Sequence, residues 1–168
     1  MLLSGQISLA RGIEKMSEMA FSSTRVLIAE DDESNRLVTL AMLNHLGFLA
    51  DVVSNGKEAL QALEKKAYDI ILMNVRMPEM DGIRATKLIR MSFPPERQPL
   101  IIAFTAHVLP DSKEDCIKAG MNDFIVKPVR MDDLNRILCK HIQTLEAHRE
   151  FELLQSKAFM GLSIFPRT

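Results

Sequence analysis

The sequence predicts an α/β fold in which one parallel sheet carries helices on both faces. Short apolar segments of strand length alternate five times with segments whose apolar residues recur at helical spacing. One segment, Ile70–Met73, is continuously apolar and bounded by polar residues, which is typical of a strand buried on both faces. The connections are short, and right-handed crossovers between parallel strands place helices on both sides of the sheet.

Each predicted strand is an apolar run that ends at polar or turn-forming residues. After the third strand, Pro78 and the pair Asp81-Gly82 require a loop, and Lys127-Pro128 ends the fifth strand. The predicted strands cover residues 25–29, 49–54, 70–73, 100–104 and 123–126.

Each predicted helix repeats apolar residues three and four positions apart. Gly47 ends the first helix, Pro94-Pro95 ends the third, and Gly120 ends the fourth. The predicted helices cover residues 34–46, 57–66, 82–90 and 110–119, and a fifth begins at residue 132. In the first helix, the apolar residues that recur at helical spacing are Leu37, Leu40, Ala41 and Leu43.

Length and composition indicate one ordinary globular domain. The chain of 168 residues is 47% hydrophobic and 26% charged, and its net charge of -1 argues against binding to nucleic acid. The N-terminal apolar run is too short for a signal peptide, and no segment has the apolar length that spans a bilayer. The two cysteines, Cys116 and Cys139, lack CxxC spacing and are interpreted as packing thiols in a reducing cytoplasm.

The chain divides into three predicted parts. Residues 1–24 are interpreted as a linker or N-terminal extension because they mix Ser, Gly and charge and end in Ser-Ser-Thr. The domain is predicted over residues 25–142, and residues 143–168 are predicted to form a C-terminal helical extension. Two interpretations of this extension stay open: it packs one stripe back on the domain, or it binds a second copy or another partner.

Polar side chains follow four of the predicted strands. Glu30 and Asp31 follow the first strand, Asn74 the third, Thr105 the fourth and Lys127 the fifth. Parallel strands bring their carboxyl ends to the same edge, where open α/β sheets bind ligands. Carboxylates suit a hard cation, a hydroxyl contacts a phosphoryl oxygen, and an ammonium supplies a point charge. The sequence therefore predicts a site for Mg²⁺ and a phosphoryl group at this edge.

The motifs LIAEDD, LMNVRMPEMDG, FTA and FIVKP occur in this order along the chain. Over residues 25–142 the chain thereby closely resembles the receiver domain of two-component response regulators and hybrid sensor histidine kinases. The resemblance implies a flavodoxin-like (CheY-like) fold, with a doubly wound five-stranded parallel sheet in the order 2-1-3-4-5. It also implies a cytoplasmic phosphorelay module, not itself an enzyme, that takes a phosphoryl group from a histidine kinase or histidine phosphotransfer protein. The chain would then be a single-domain response regulator or a piece of a hybrid histidine kinase.

The resemblance also implies the roles of the acidic residues. Asp31 would bind Mg²⁺ directly, and Glu30 would act through water. The backbone carbonyl of Arg76 would be a third ligand, and Asn74 stands where the family has its phosphoacceptor aspartate and a further metal ligand.

Four other positions match the family's switch. Thr105 would be the hydroxyl that moves toward the phosphoryl group, and Lys127 would be its counter-ion. A cis peptide bond between Lys127 and Pro128 would aim that lysine. Phe124 would be the aromatic residue whose rotation reports phosphorylation to the surface.

The departure from the family is Asn74. An amide is a poor nucleophile for in-line phosphoryl transfer, so phosphorylation by the ordinary route should fail. The loss of one negative charge should also weaken the binding of Mg²⁺, and Lys127 is expected to pair with Asp31 in place of a phosphoryl group. Two origins stay open: a working receiver whose aspartate was replaced, or a natural receiver-like domain that signals by binding alone.

The first functional hypothesis is a signalling module that is locked against phosphorylation and whose output is protein binding through its last strands and helices. Two further functions compete with it. One is a phosphoacceptor domain that still binds Mg²⁺ and is phosphorylated on another carboxylate, such as Asp31. The other is a flavin-binding protein, but the acidic turn after the first strand would repel the flavin phosphate. The histidines are interpreted as surface or site-rim residues and not as phosphodonors: His45, His107, His141 and His148.

Overall fold

The computed structural model describes residues 24–106 and 110–162, with side chains for all of these except 110–112 and 157–162. Apart from Thr24, the predicted linker over residues 1–24 lies outside the described residues. His107 lies outside them as well.

In the described part of the chain, five parallel strands form one sheet in the order β2-β1-β3-β4-β5. The strands are β1 (Arg25–Ala29), β2 (Leu49–Val53), β3 (Ile70–Asn74), β4 (Leu100–Thr105) and β5 (Asp123–Val126). The predicted fold class and strand order are therefore confirmed. β3 and β4 each continue one residue further than predicted, so Asn74 and Thr105 are the last residues of their strands.

Helices follow each of the strands. They are α1 (Glu33–His45), α2 (Gly56–Lys65), α3 (Gly82–Ser92), α4 (Pro110–Ala119) and α5 (Met131–Leu162). A short 3-10 helix, Pro95–Arg97, follows α3 where the two prolines indicated only a helix end. None of the helices among the described residues has the length and apolar character needed to cross a membrane.

The core lies in two layers, one on each face of the sheet. On one face, strand residues such as Ile28 and Leu72 pack with Leu43 of α1 and Leu138 of α5. On the other face the strands pack with α2, α3 and α4, which contribute residues such as Ala59, Ile89 and Cys116. The middle strand β3 is buried throughout, as its continuous apolar run predicted.

Of the four apolar residues that recur at helical spacing in α1, only Leu40 and Leu43 contact the core. Leu43 is buried and Leu40 packs against the core, but Leu37 is 61% exposed and Ala41 is also exposed. Thr39 takes a buried position instead, because residues 39 and 43 lie four apart and share one face of the helix. The Leu37 side of α1 is left as an apolar surface.

Helix α5 is one continuous helix of 32 residues and is longer than a domain-closing helix needs to be. Leu145 packs against the core, and Arg149 forms an ion pair with Asp69 at the amino end of β3. Beyond that contact, Phe151 and Leu154 are 60% and 66% exposed. The stretch up to Arg149 therefore packs back on the domain, and binding of a second copy or partner by the exposed stretch beyond it stays a prediction.

The interpretation of His141 as a surface or rim residue was wrong. Its side chain is buried, and its Nε2 lies 3.0 Å from the Oδ2 of Asp123. Burial acts to raise the pKa of Asp123, but hydrogen bonds from Lys140, the Phe124 backbone and His141 outweigh it, and the pKa is lowered. His45 and His148 are exposed.

Candidate functional site at the carboxyl edge of the sheet

The candidate site lies at the carboxyl ends of β1, β3, β4 and β5. Strand register aligns these ends, with Asn74 beside Phe104 and Thr105 beside Val126. The backbone N–H of Lys127 donates to the carbonyl of Thr105 at 2.8 Å, which ties the end of β5 to the end of β4. The sheet therefore brings the polar residues of four strands to one edge.

The acidic turn after β1 is held from both sides. The Glu30 N–H donates to the Val53 carbonyl at 3.1 Å, and Asp32 caps α1 by accepting from the Asn35 N–H at 2.8 Å. The Arg36 guanidinium donates to the carbonyls of Glu30 and Asp31 at 3.0 and 3.1 Å. Arg36 was not among the predicted site residues; a cation one turn into the helix after an acidic turn is the signal that was available.

The loop after β3 folds back against its own strand. The Gly82 N–H donates to the Val75 carbonyl at 2.9 Å. A Cβ atom on Gly82 would lie only 2.3 Å from the Asn74 carbonyl oxygen, so the start of α3 has to be glycine for this approach. The loop thus fixes the backbone of Asn74 and carries the Arg76 carbonyl back toward the site.

The Asn74 side chain is at the centre of the acidic residues. Its amide nitrogen, Nδ2, lies 3.1 Å from the Oε1 of Glu30, 2.8 Å from the Oδ1 of Asp31 and 2.9 Å from the Arg76 carbonyl. Asn74 is 9% exposed and Glu30 is 2% exposed, whereas Asp31 is exposed, so the cluster is shielded from water only on its Glu30 side. Three of the four predicted metal-site positions therefore meet at the amide of the fourth.

Lys127 pairs with Glu30 and not with Asp31, contrary to expectation. Its Nζ forms a short ion pair with the Oε2 of Glu30, and the two side chains are 17% and 2% exposed. The physical reason is burial: the Glu30 carboxylate is 2% exposed and needs a counter-charge, whereas Asp31 is exposed and water can solvate it. The Lys127-Pro128 peptide bond is cis.

The two remaining predicted residues are Thr105 and Phe124. Both are half-buried. The Nζ of Lys113, on α4, lies 4.1 Å from the centre of the Phe124 ring, which is a cation–π contact between α4 and β5. Sequence reasoning did not find Lys113, because its distance in sequence from Phe124 hides the contact.

The fit of these residues to Mg²⁺ can be tested on the donor atoms. Mg²⁺ binds oxygen atoms, and the acidic cluster offers carboxylate and carbonyl oxygens. These oxygens converge on the N–H₂ group of Asn74, whose hydrogens would face the metal. Among the described residues, moreover, no group of three or more His, Cys, Asp or Glu side chains is arranged to hold a metal ion. With the Asn74 amide in this orientation, the site therefore does not fit Mg²⁺.

Comparison with known proteins now decides the family. The family model of the response regulator receiver domain matches residues 26–139, which is more than half of the chain. The chain belongs to this family. The receiver domain of the sensor histidine kinase PA1611 from Pseudomonas aeruginosa PAO1 is 40% identical, with a TM-score of 0.66, and covers 71% of this chain and 98% of its own. That structure has a magnesium ion coordinated in its active-site cleft.

Two further relatives connect this receiver domain with phosphorelays. Histidine protein kinase 1 of Candida albicans is 42% identical over 132 residues, which are 72% of this chain and 5% of that protein. The receiver domain of Saccharomyces cerevisiae Ssk1, solved in complex with the histidine phosphotransfer protein Ypd1, is 27% identical with a TM-score of 0.62, over 68% of this chain and 86% of that one. The chain spans only 5% to 17% of the length of curated histidine kinases that it matches.

Proposed function

We propose that this receiver domain acts in its phosphorelay by binding proteins and that Asn74 prevents it from accepting a phosphoryl group. The observation that supports this most directly is the position of Asn74, at the end of β3 and in contact with Glu30, Asp31 and the Arg76 carbonyl. The resemblance assigns the phosphoacceptor aspartate to this position. The domain itself then has no enzymatic activity, although the protein that contains it could be a hybrid histidine kinase.

The chemistry of the amide carries the proposal. Phosphoryl transfer to an aspartate needs an anionic oxygen that attacks phosphorus in line with the leaving group. The Asn74 amide oxygen is uncharged, the lone pair of the amide nitrogen is delocalised, and the N–H₂ group already donates toward three acceptor atoms. Lys127, the proposed counter-ion of the phosphoryl group, is paired with Glu30 instead. Thr105 and Phe124 keep their places as the proposed switch residues.

An exposed apolar surface lies beside the site on α1. Leu37 and Val38 are 61% and 53% exposed, and they directly follow Arg36, which holds the acidic turn. We propose that a histidine phosphotransfer protein binds over these two side chains. The contact on the partner would be the apolar surface around the partner's own histidine. Leu37→Glu should weaken binding of a phosphotransfer protein such as Ypd1 about tenfold or more in calorimetry. Met91→Glu, at an exposed apolar residue on α3, should not; equal losses would contradict this surface.

The distal part of α5 is the proposed contact between two copies of the chain. Ala147, Phe151 and Leu154 are exposed and spaced four and three residues apart, which is the spacing of a coiled-coil seam and complements an identical helix. Light scattering coupled to gel filtration should show a dimer that Phe151→Glu abolishes and Leu37→Glu leaves intact. A wild-type chain that is monomeric at every concentration tested would rule out this contact.

Phosphorylation is tested with acetyl phosphate and Mg²⁺, followed by intact mass spectrometry. The wild-type chain should gain no phosphate, whereas Asn74→Asp should gain one. Asn44→Asp, the same change at an exposed residue near the end of α1, should remain unmodified. A phosphate adduct on the wild-type chain would defeat the proposal, and peptide mapping of that adduct to Asp31 would support the alternative phosphoacceptor function.

The same experiment addresses how Asn74 arose. If Asn74→Asp restores phosphorylation, the rest of the site is competent, as expected of a working receiver whose aspartate was replaced. If it does not, residues other than Asn74 also prevent phosphorylation, as expected of a natural receiver-like domain that signals by binding alone. A cytoplasmic location is part of the proposal and is supported by the two cysteines, Cys116 and Cys139, which are unpaired in the described residues.

A further inference from the structure

The contacts of the Asn74 side chain resemble those of a bound cation. Its Nδ2 is within 3.1 Å of one oxygen each from Glu30, Asp31 and Arg76, and all of these oxygens are hydrogen-bond acceptors. An amide N–H₂ group has two hydrogens, so one of them is shared or one contact is weak. The nitrogen therefore bridges three oxygen atoms that have no other common donor among the contacts of these residues.

These acceptors determine how the amide is oriented. In the reverse orientation the Asn74 Oδ1 would face three oxygens at hydrogen-bond distance with no hydrogen between them, and two of those oxygens belong to carboxylates. That arrangement is repulsive unless a cation lies between the oxygens. The Oδ1 of Asn74 is therefore directed away from the position in which it could coordinate a metal ion.

Lys127 supplies the remaining positive charge. The two carboxylates of Glu30 and Asp31 carry two negative charges, and the ion pair with Lys127 offsets one of them. The N–H₂ dipole of Asn74 faces the oxygens that the ammonium does not reach. With both groups in place, each carboxylate has a donor, and the buried charge of Glu30 is compensated without an added ion.

We propose that the Asn74 amide, with Lys127, is a built-in substitute for the divalent cation and holds the receiver site in one conformation whether or not Mg²⁺ is present. The proposal rests on the proposed function, in which Asn74 replaces the phosphoacceptor. It adds that the replacement leaves a closed hydrogen-bonded site and not a weakened metal site. Mg²⁺ would have to break contacts between the amide and charged oxygens, so its affinity should be at least about tenfold lower than for Asn74→Asp.

The first test is paramagnetic line broadening by Mn²⁺, used as the probe in place of Mg²⁺ and without any phosphoryl donor. Spectra of ¹⁵N-labelled wild-type protein should show no selective broadening around residues 30–31 and 74–76 at Mn²⁺ concentrations that broaden these signals in Asn74→Asp. The control Asn44→Asp should behave as the wild type. Equal broadening in the wild type and Asn74→Asp would overturn the proposal.

The second test reads the amide itself. The two side-chain N–H signals of Asn74 should be resolved in EDTA and should not move when millimolar Mg²⁺ is added. In EDTA, Asn74→Ala should lower the melting temperature, and Mg²⁺ should recover part of that loss because the small side chain opens the position to the ion. A shift of the Asn74 signals with Mg²⁺ would refute the proposal that the amide takes the place of the cation. An Asn74→Ala melting temperature equal to that of the wild type in EDTA would refute it as well.

The two proposals fail separately. A wild-type chain that takes no phosphate but binds Mn²⁺ as Asn74→Asp does would retain the proposed function and lose the built-in cation. A wild-type chain that is phosphorylated at another carboxylate while its Asn74 amide signals ignore Mg²⁺ would do the reverse.

Discussion

The ion pair between Lys127 and Glu30 should contribute strongly to folding. Removing one partner of a buried ion pair leaves the other charge uncompensated and costs roughly 3–5 kcal/mol. In Lys127→Met, Glu30 would keep its hydrogen bond from Asn74, and the lysine side chain is 17% exposed, so water can replace part of the lost contact. We therefore expect the free energy of unfolding to fall by about 2–3 kcal/mol at neutral pH.

Lys140→Met is the matched control, because it removes the same ammonium from another carboxylate. The Nζ of Lys140 lies 2.8 Å from the Oδ2 of Asp123, but the lysine side chain is 66% exposed. Asp123 also keeps its contact with His141 at 3.0 Å. Exposed pairs are worth about 0–1 kcal/mol, so this variant should lose no more than that.

Urea unfolding followed by circular dichroism measures both losses, with equal m-values as the condition for comparing them. The Lys127 variant should unfold at a clearly lower urea concentration than the Lys140 variant. Equal midpoints, or a loss below about 1 kcal/mol for Lys127→Met, would show that this ion pair stabilises the fold no more than an exposed ion pair does, despite the burial of Glu30.

Two further perturbations test other parts of the fold. Gly82→Ala should cost roughly 2–3 kcal/mol in the same titrations, because its Cβ would lie 2.3 Å from the Asn74 carbonyl oxygen. Gly47→Ala, with a φ of +86° but nothing within 4 Å of its Cβ, should cost only about 1–2 kcal/mol, and the reverse order would contradict the close approach at Gly82. Burial and a 2.6 Å hydrogen bond to Asp51 raise the pKa of Tyr68 to about 12. An unfolded tyrosine ionises near pH 10, so this stabilisation is present below about pH 10 and lost as the pH rises toward 12. The melting temperature of the wild type should fall more steeply over that pH range than the melting temperature of Tyr68→Phe. Parallel declines would refute the raised pKa of Tyr68.

The helices and strands of this fold were predictable because the local sequence pattern of each one agrees with its burial and its ends in the structure. Ile70–Met73 is apolar on both faces, and the structure buries it on both faces. Glycine and proline stand where helices and strands end, and the structure has Gly47 and Gly120 at positive φ after α1 and α4. The exposed side of α1 was not predictable from spacing alone. Leu37 and Leu43 both fit a helical pattern, and only the position of the helix on the sheet decides which of them is buried.

The composition of the site was predictable, but its contacts were not. Parallel topology requires Glu30, Asp31, Asn74, Thr105 and Lys127 to share one edge, and the strand register places them there. Which carboxylate a lysine contacts depends on which of them is buried away from water, and the sequence pattern alone does not show that Glu30 is buried and Asp31 exposed. The expected pair with Asp31 therefore became a pair with Glu30.

The contacts of Asn74 also bear on how α1 is held beside the site. Arg36 donates to the carbonyls of Glu30 and Asp31 at 3.0 and 3.1 Å, so the position of α1 depends on the acidic turn. In a receiver that binds a metal and a phosphoryl group, changes in that turn would alter the start of α1. In this chain the Asn74 amide holds the same turn through its own contacts. The Leu37 side of α1 should therefore have one orientation under all ionic conditions, and a partner that binds there would meet a constant surface and not a switch.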